Sequence, residues 1–186
     1  MNSVEYAATK IKLNYKYVLE FGVYQGVSIS RIRNSLDSSF KVFGFDSFEG
    51  LPEDWENTTC MKGHFSTGGK IPDIDGIKFY KGWFEDTIPE FLEEVNYFCD
   101  DFSIGLLHID CDLYSSTQTI FEYLHPYIRK GSIIVFDEWC YHADPQYDDH
   151  EQKAFYEYIN DYNVKFYPIP FYDEENPIER KIIRIL

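Results

Sequence analysis

At 186 residues, with 44% hydrophobic and 19% aromatic side chains and only eight prolines and eleven glycines, the chain reads as one globular domain over 1–186, which excludes a disordered or low-complexity protein. Its formal net charge of −15 repels phosphate backbones, so nucleic acid is not an expected partner and a small neutral or cationic substrate is favoured; most of the acids simply serve solubility. Cys60, Cys99, Cys111 and Cys140 form neither a CxxC pair nor a dense framework, and the stretch up to Phe21 mixes Glu and Lys among its apolar residues. The expectation is a cytoplasmic protein with reduced thiols, no leader and no membrane span.

Short apolar runs alternate with stretches of helical period, the pattern of β-α-β units in a doubly wound, mostly parallel α/β sheet of six or seven strands. The first strand is predicted over 17–21 (YVLEF), followed by a glycine-bearing turn and a helix that places Ile29, Ile32 and Leu36 on one face. The second, 41–46 (KVFGFD), leads into a segment rich in Gly, Pro, Asp and Thr over 47–76. That is longer than ordinary connections, and it reads as either a functional lid or a locally mobile loop. A third strand closes at Gly82, and the next helix is predicted to open on a Thr87/Glu90 capping box and to bury Ile88, Phe91, Leu92, Val95 and Phe98.

The fourth strand, 103–110 (SIGLLHID), precedes a helix that starts in Ser115-Ser116-Thr117, buries Ile120, Phe121, Leu124 and Ile128, and is closed by Gly131. A fifth strand over 132–137 is followed by an acidic loop and a helix around Phe155, Tyr158 and Ile159. Strands at 164–170 and 180–186 flank a turn with Asn176-Pro177 and lie too close for a helical crossover, so an antiparallel pair is expected at the sheet end. The first strand begins so early that there is little room for an N-terminal helical extension.

In such sheets ligands bind beyond the carboxyl ends of the strands, so the residues that close each strand carry the functional signal. The first closes in Glu20-Phe21-Gly22-Val23-Tyr24-Gln25-Gly26, where Gly22 permits a tight turn and Gly26 lets a ligand approach the helix start. The second closes in Asp46, twenty residues after Gly26, where a carboxylate can accept hydrogen bonds from both ribose hydroxyls of a nucleoside; a helix cap or an Asx-turn is the plainer reading. The pyrophosphate fingerprint GxGxxG is absent, which favours a cofactor without phosphates.

Asp110 and Asp112 close the fourth strand and Asp137 and Glu138 the fifth. Four carboxylates at neighbouring strand ends repel unless a cation lies among them, and oxygen donors select a hard ion such as Mg²⁺. Strand alternation points Cys111 away from the two aspartates, against a zinc site. Of the five histidines, His108 shares the parity of Asp110 and reads as a core or supporting residue, while His142, beyond the fifth strand, is a secondary candidate for base or substrate contact. Trp55, Trp83, Phe84 and Trp139 are candidates for shaping pockets.

LEFGVYQGVS, FGFDSFEGLPEDW, YKGWFEDTIPEFL, LLHIDCDLYSSTQTIFEYLHPYIRKGSIIVFDEW and, more weakly, QKAFYEYI follow one another in order from Leu19 to Ile159. Together they resemble the macrocin O-methyltransferase family of metal-dependent class I methyltransferases, which methylate sugar hydroxyls on antibiotics. The resemblance implies a seven-stranded Rossmann-like sheet with S-adenosylmethionine across Glu20, Gly22, Gly26 and Asp46, beside Ser47 and Asp110, and adenine near Gly82, Trp83 and Phe84. It further implies a divalent metal on Asp110, Asp137 and Glu138, a general base at Asp112, and a small-molecule or carbohydrate acceptor. The family usually has Asp-Asp-Tyr where this chain has Asp137-Glu138-Trp139, and many members carry a longer N-terminal region.

Two rival readings differ in class. Asp110-Cys111-Asp112 matches the DxD motif of metal-dependent nucleotide-sugar glycosyltransferases, which the glycine turn and Asp46 fit less well; and a non-catalytic cofactor-binding module would share the fold without turnover. A homo-oligomer is left open.

Overall fold

The computed structural model describes residues 1–98, 102–139, 150–171 and 180–186. Seven strands, β1 (Tyr17–Phe21), β2 (Lys41–Asp46), β3 (Ile77–Lys81), β4 (Ile104–Ile109), β5 (Ile133–Phe136), β6 (Phe166–Pro168) and β7 (Lys181–Ile185), form one sheet in the order β3-β2-β1-β4-β5-β7-β6. The first five run parallel, and β7 enters antiparallel between β5 and β6. The order reverses at β1, so a crevice opens beyond the carboxyl ends of β1 and β4. The expected hairpin at the sheet end is present, although Asn176-Pro177 lies outside the described residues.

Alternation along the strands builds two apolar layers. Leu19, Phe21, Phe43, Phe45, Leu107 and Ile109 pack under α3 (Phe84–Phe98), α4 (Tyr114–Leu124) and α5 (Glu151–Asp161), which contribute Ile88, Phe91, Ile120, Phe121 and Phe155. Val18, Val42, Leu106, Ile133 and Val135 face α1 (Ser3–Ala8) and α2 (Val27–Asn34) through Val4, Ala7, Ile29 and Ile32. Helices therefore cover both faces, and only strand ends are left to carry polar chemistry. Among the described residues no helix is long and apolar enough to cross a membrane.

Two local expectations are corrected, and the little room before β1 holds a short helix. A six-residue helix precedes β1, held by a capping box in which the Asn2 side chain accepts from the Glu5 N–H and the Glu5 carboxylate accepts from the Asn2 N–H. Helix α3 begins at Phe84, three residues before the predicted cap, and the Thr87 hydroxyl donates to the Trp83 carbonyl instead. Helix α4 ends at Leu124 and tightens into a 3-10 turn over His125–Tyr127, leaving Gly131, at φ +106°, to turn the chain into β5.

The 47–76 segment has no regular secondary structure, yet it has its own apolar anchor. Leu51 and Trp55 pack on Leu113, with Cys60 against them. Leu51 also donates to the His64 carbonyl and accepts from Gly63, which cross-braces the loop. Its late part covers the start of α2: a Cβ on Gly26 would lie 2.6 Å from Ile74 Cδ1 and 3.1 Å from Pro72.

Candidate active site

The ladder of the sheet extends one residue past several strands, and this fixes the residues of interest. The Asp110 N–H donates to Phe21 O at 2.9 Å, the Asp137 N–H to Ile109 O at 3.0 Å, and the Gly22 N–H to Phe45 O at 3.0 Å. Gly22, at φ +89°, passes so close to β4 that a Cβ there would lie 1.7 Å from the Asp110 carbonyl oxygen. Glycine is required on both counts. Gly22→Ala is expected to cost at least about 2–3 kcal/mol, from the left-handed backbone and the collision together. Denaturant unfolding measures it, and a loss under 1 kcal/mol would show that the turn is not constrained as described.

A cavity of about 610 Å³ opens above these strand ends. Gly22, Asp46, Ser47, Trp83, Phe84 and Asp110 line it, as do Asp112, Asp137 and Glu138. Three expected contact residues do not. Glu20 is fully enclosed, its carboxylate receiving Ser28 Oγ at 2.9 Å and lying 2.8 Å from His108 Nδ1. Gly26 is buried against the 47–76 segment, with Pro72 and Ile74 over its open side, and Gly82 faces Thr87. His142 lies outside the described residues. Of the pocket aromatics, Trp83 and Phe84 reach the cavity, whereas Trp55 anchors the 47–76 segment and Trp139 packs on Phe136 and Phe155.

Asp46 is more occupied than its position in sequence indicates. Oδ2 accepts from the Val23 and Tyr24 N–H groups at 2.8 and 2.7 Å, and Oδ1 from Phe48 at 2.6 Å. The last is the Asx-turn of the plainer reading, and the first two tie β2 to the glycine turn. An ionised carboxylate has about four acceptor positions, so roughly one remains for a ligand hydroxyl, short of the two that a bidentate grip requires.

One oxygen or nitrogen from each of His108, Asp110 and Asp137 falls within 4.8 Å of the others. Among the described residues Glu138 does not join that group: its Oε2 is buried without a hydrogen-bond partner, and its N–H donates to Glu151 at 3.2 Å. The acids crowd one another. Burial, then the charge of Asp137, pushes Asp110 well above the usual carboxylate range. Burial, then Glu151, does the same to Glu138. Asp112 is pushed up to about 7 by burial, then by Asp137 and Asp46. It also sits in the left-handed region at φ +65°, a conformation that Asp tolerates at some cost, and it lines the cavity.

His108 is fully buried between two carboxylates. Burial pushes its imidazole down, but Asp137 and Glu20 push it up further, and the balance is well above an ordinary histidine. Its Nε2 stands 3.8 Å from Asp137 Oδ1, beyond hydrogen-bond distance, and is buried without a hydrogen-bond partner. Asp137 itself is held low, since the stabilising pull of His108 and Arg180 outweighs burial.

Sequence reading missed two further residues. Glu151, fully buried at the start of α5, accepts from the Cys111 N–H at 3.4 Å and, through its other oxygen, from Glu138. It thereby ties the ends of β4 and β5. Arg180 lines the cavity and donates to Asp137 Oδ1 at 2.5 Å. The signal for Glu151 was an acid opening a helix whose buried face had been recognised; for Arg180 it was a cation opening the antiparallel strand.

Residues 19–139 match the family described as a methyltransferase domain. A curated relative, the 8-demethyl-8-(2,3-dimethoxy-alpha-L-rhamnosyl)-tetracenomycin-C 4'-O-methyltransferase of Streptomyces olivaceus, is 25% identical over 150 residues, which are 68% of this chain and 54% of the relative. The chain spans about half the length of the curated relatives it matches. A calicheamicin methyltransferase structure aligns with a TM-score of 0.71 at 20% identity, covering 97% of this chain and 75% of the other. A methyltransferase from the mycinamycin pathway, solved in complex with Mg, SAH and mycinamycin VI, aligns with a TM-score of 0.52 at 19% identity, covering 91% and 44%. Both likenesses are of fold.

Proposed function

The chain belongs to the methyltransferase domain family, and from that premise we propose that it transfers a methyl group from S-adenosylmethionine to a hydroxyl of a sugar-bearing small molecule, with a divalent cation such as Mg²⁺ at the strand-end carboxylates. The observation that carries this reading is one cavity at the switch point of the sheet, bordered on one side by the Gly22 turn and Asp46 and on the other by Asp110, Asp112 and Asp137. Its volume suits a nucleoside-sized ligand. Its acidity suits a sulfonium cation and has no use for a pyrophosphate. The curated relative is named as an O-methyltransferase of a rhamnosyl compound, which supports a carbohydrate hydroxyl as acceptor.

The donor set fits a hard cation. Asp110 and Asp137 supply oxygens, Glu138 has a buried oxygen in need of a partner, and the burial and neighbouring negative charge that push Asp110 and Glu138 up are what a divalent ion relieves. When bound, S-adenosylmethionine supplies an electrophilic methyl and the cation supplies charge to stabilise a developing alkoxide. The remaining tasks belong to the chain. Asp46 holds the glycine turn and offers its last acceptor position to a ribose hydroxyl, Trp83 and Phe84 flank the base, and Ser47 closes that end. Asp112 accepts the acceptor's hydroxyl proton, in keeping with a carboxyl near 7 at the cavity rim. Glu20 holds His108 beside Asp137.

Asp46→Ala is expected to weaken S-adenosylmethionine and its product S-adenosylhomocysteine by about 1.5–3 kcal/mol, the scale of hydrogen bonds to a charged group, as read by titration calorimetry. Unchanged affinity would remove Asp46 from the cofactor site. The function itself is tested by mass spectrometry of a panel of glycosides incubated with S-adenosylmethionine. The expected product is heavier by one methylene, forms together with S-adenosylhomocysteine, and is lost in excess chelator. Glycosyl transfer from a nucleotide sugar would establish the rival DxD reading, and full methylation in chelator with no bound metal by elemental analysis would remove the cation.

A further inference from the structure

The antiparallel strand brings a cation into the acidic end of the sheet, and it does so by register. Phe136 of β5 is the partner of Lys181 in β7. One step further along the same antiparallel pairing, Asp137 stands across from Arg180. Opposite charges facing one another across strands attract, and here both lie at the cavity wall. The side chains meet as the register requires: Arg180 Nε donates to Asp137 Oδ1 at 2.5 Å, and its NH2 group lies 3.4 Å from Oδ2. Both are largely withdrawn from solvent, at 21% and 13% exposure, so this pair is screened less than a surface ion pair.

Asp137 is also one of the acids at which a divalent cation would bind, and His108 Nε2 already stands 3.8 Å from Oδ1 on its other side. Both neighbours therefore converge on Oδ1, while Oδ2 has only the 3.4 Å contact from Arg180, so a cation at either oxygen meets the guanidinium. An entering metal ion needs at least one of these oxygens, and of the two neighbours only Arg180 has a side chain long and exposed enough to leave. We propose that Arg180 is the resident counter-ion of Asp137 and that a divalent cation binds by displacing its guanidinium, so that Arg180 sets the metal affinity of the site. Metal uptake is then an exchange of one cation for another. The released guanidinium, with donors for planar oxygen groups, stays at the cavity wall. This inference rests on the proposed metal site, and it goes beyond that site by assigning its affinity to a residue that holds no metal.

The test is calorimetric titration of Mg²⁺ alone into metal-free wild type, Arg180→Gln and Arg31→Gln. Arg31 lines the same cavity, so its variant controls for the loss of one positive charge. Arg180→Gln is expected to tighten Mg²⁺ binding by about tenfold or more, the scale of a close charge pair, with Arg31→Gln changing it by less than about threefold. If Arg180→Gln fails to fold, Arg180→Lys, which keeps the charge but loses the forked contact, is expected to tighten binding severalfold. Equal affinity in wild type and the Arg180 variant, or equal tightening in both glutamine variants, overturns the inference while leaving the metal site intact. Absence of Mg²⁺ binding to every variant overturns the metal site and the inference with it.

Discussion

Asp112→Asn is expected to lower kcat by about 10²–10⁴-fold, the scale of a lost general base, while metal and S-adenosylmethionine affinities stay nearly unchanged. The argument is positional before it is electrostatic. Asp110 has its backbone bonded to β1 and its carboxyl in the His108–Asp137 group. Asp112 lies two residues further on, in a left-handed turn at the cavity wall. Burial and the neighbouring charges of Asp137 and Asp46 push it up to about 7, so above that pH it is a base strong enough to take a hydroxyl proton. Asn keeps size and polarity but has no basic oxygen. The wild-type rate is accordingly expected to rise with pH as Asp112 loses its proton, and the residual rate of the variant to lose that step. Asp110→Asn should instead raise the metal concentration needed for half-maximal rate. Wild-type turnover in Asp112→Asn would move the proton to another group, and comparison with His142→Ala at saturating metal identifies whether that group is His142.

The same crowding of acids predicts a reversal of the usual dependence of stability on pH. A carboxyl whose folded-state value is raised contributes stability below its unfolded value and loses it as pH rises through the folded one. For Asp112, moving from 3.8 to about 7 corresponds to roughly 4 kcal/mol. Asp110, Glu138 and Glu151 are raised as well, by burial first and then by the charge of neighbouring acids (Asp137 for Asp110, Glu151 for Glu138, Asp110 for Glu151), and they act in the same direction. Asp137, held low chiefly by His108 and Arg180 against burial, acts in the opposite one. The metal-free protein is therefore expected to lose melting temperature from about pH 5 to pH 8, and Mg²⁺ to raise it much more at pH 8 than at pH 5, since only ionised carboxylates bind it. Thermal melts with and without Mg²⁺ decide this. A melting temperature that rises steadily to pH 8 without metal would show that the cluster is not strained by its own charge.

What sequence reading reached, and what it did not, divides along contact range. The first two strands coincide with Tyr17–Phe21 and Lys41–Asp46, and the third to fifth agree to within a residue or so, because short apolar runs bounded by polar residues have one reading in a parallel sheet. The polar strand ends were likewise visible as a set. Their partners were not. Glu20 meets His108 across 88 positions, Cys111 meets Glu151 across 40, and Asp137 meets Arg180 across 43. Those pairings place Glu20 within the sheet, against Ser28 and His108. The same limit explains Gly26, whose open side is filled by residues from the far end of a long loop. At α3 the error was local: a Thr/Glu spacing imitated a cap, but Gly82 had already released the chain and Glu85 and Asp86 occupied the first turn.

The central claim, that the cavity at the switch point holds S-adenosylmethionine, is tested most directly by calorimetric titration of S-adenosylhomocysteine into the wild-type protein, with NAD and a uridine nucleotide sugar as comparison ligands. Saturable binding of S-adenosylhomocysteine near one molecule per chain, weakened in Asp46→Ala, with no binding of either comparison ligand, is the result this account predicts. A folded wild-type protein that binds the nucleotide sugar or NAD and leaves S-adenosylhomocysteine unbound would contradict it.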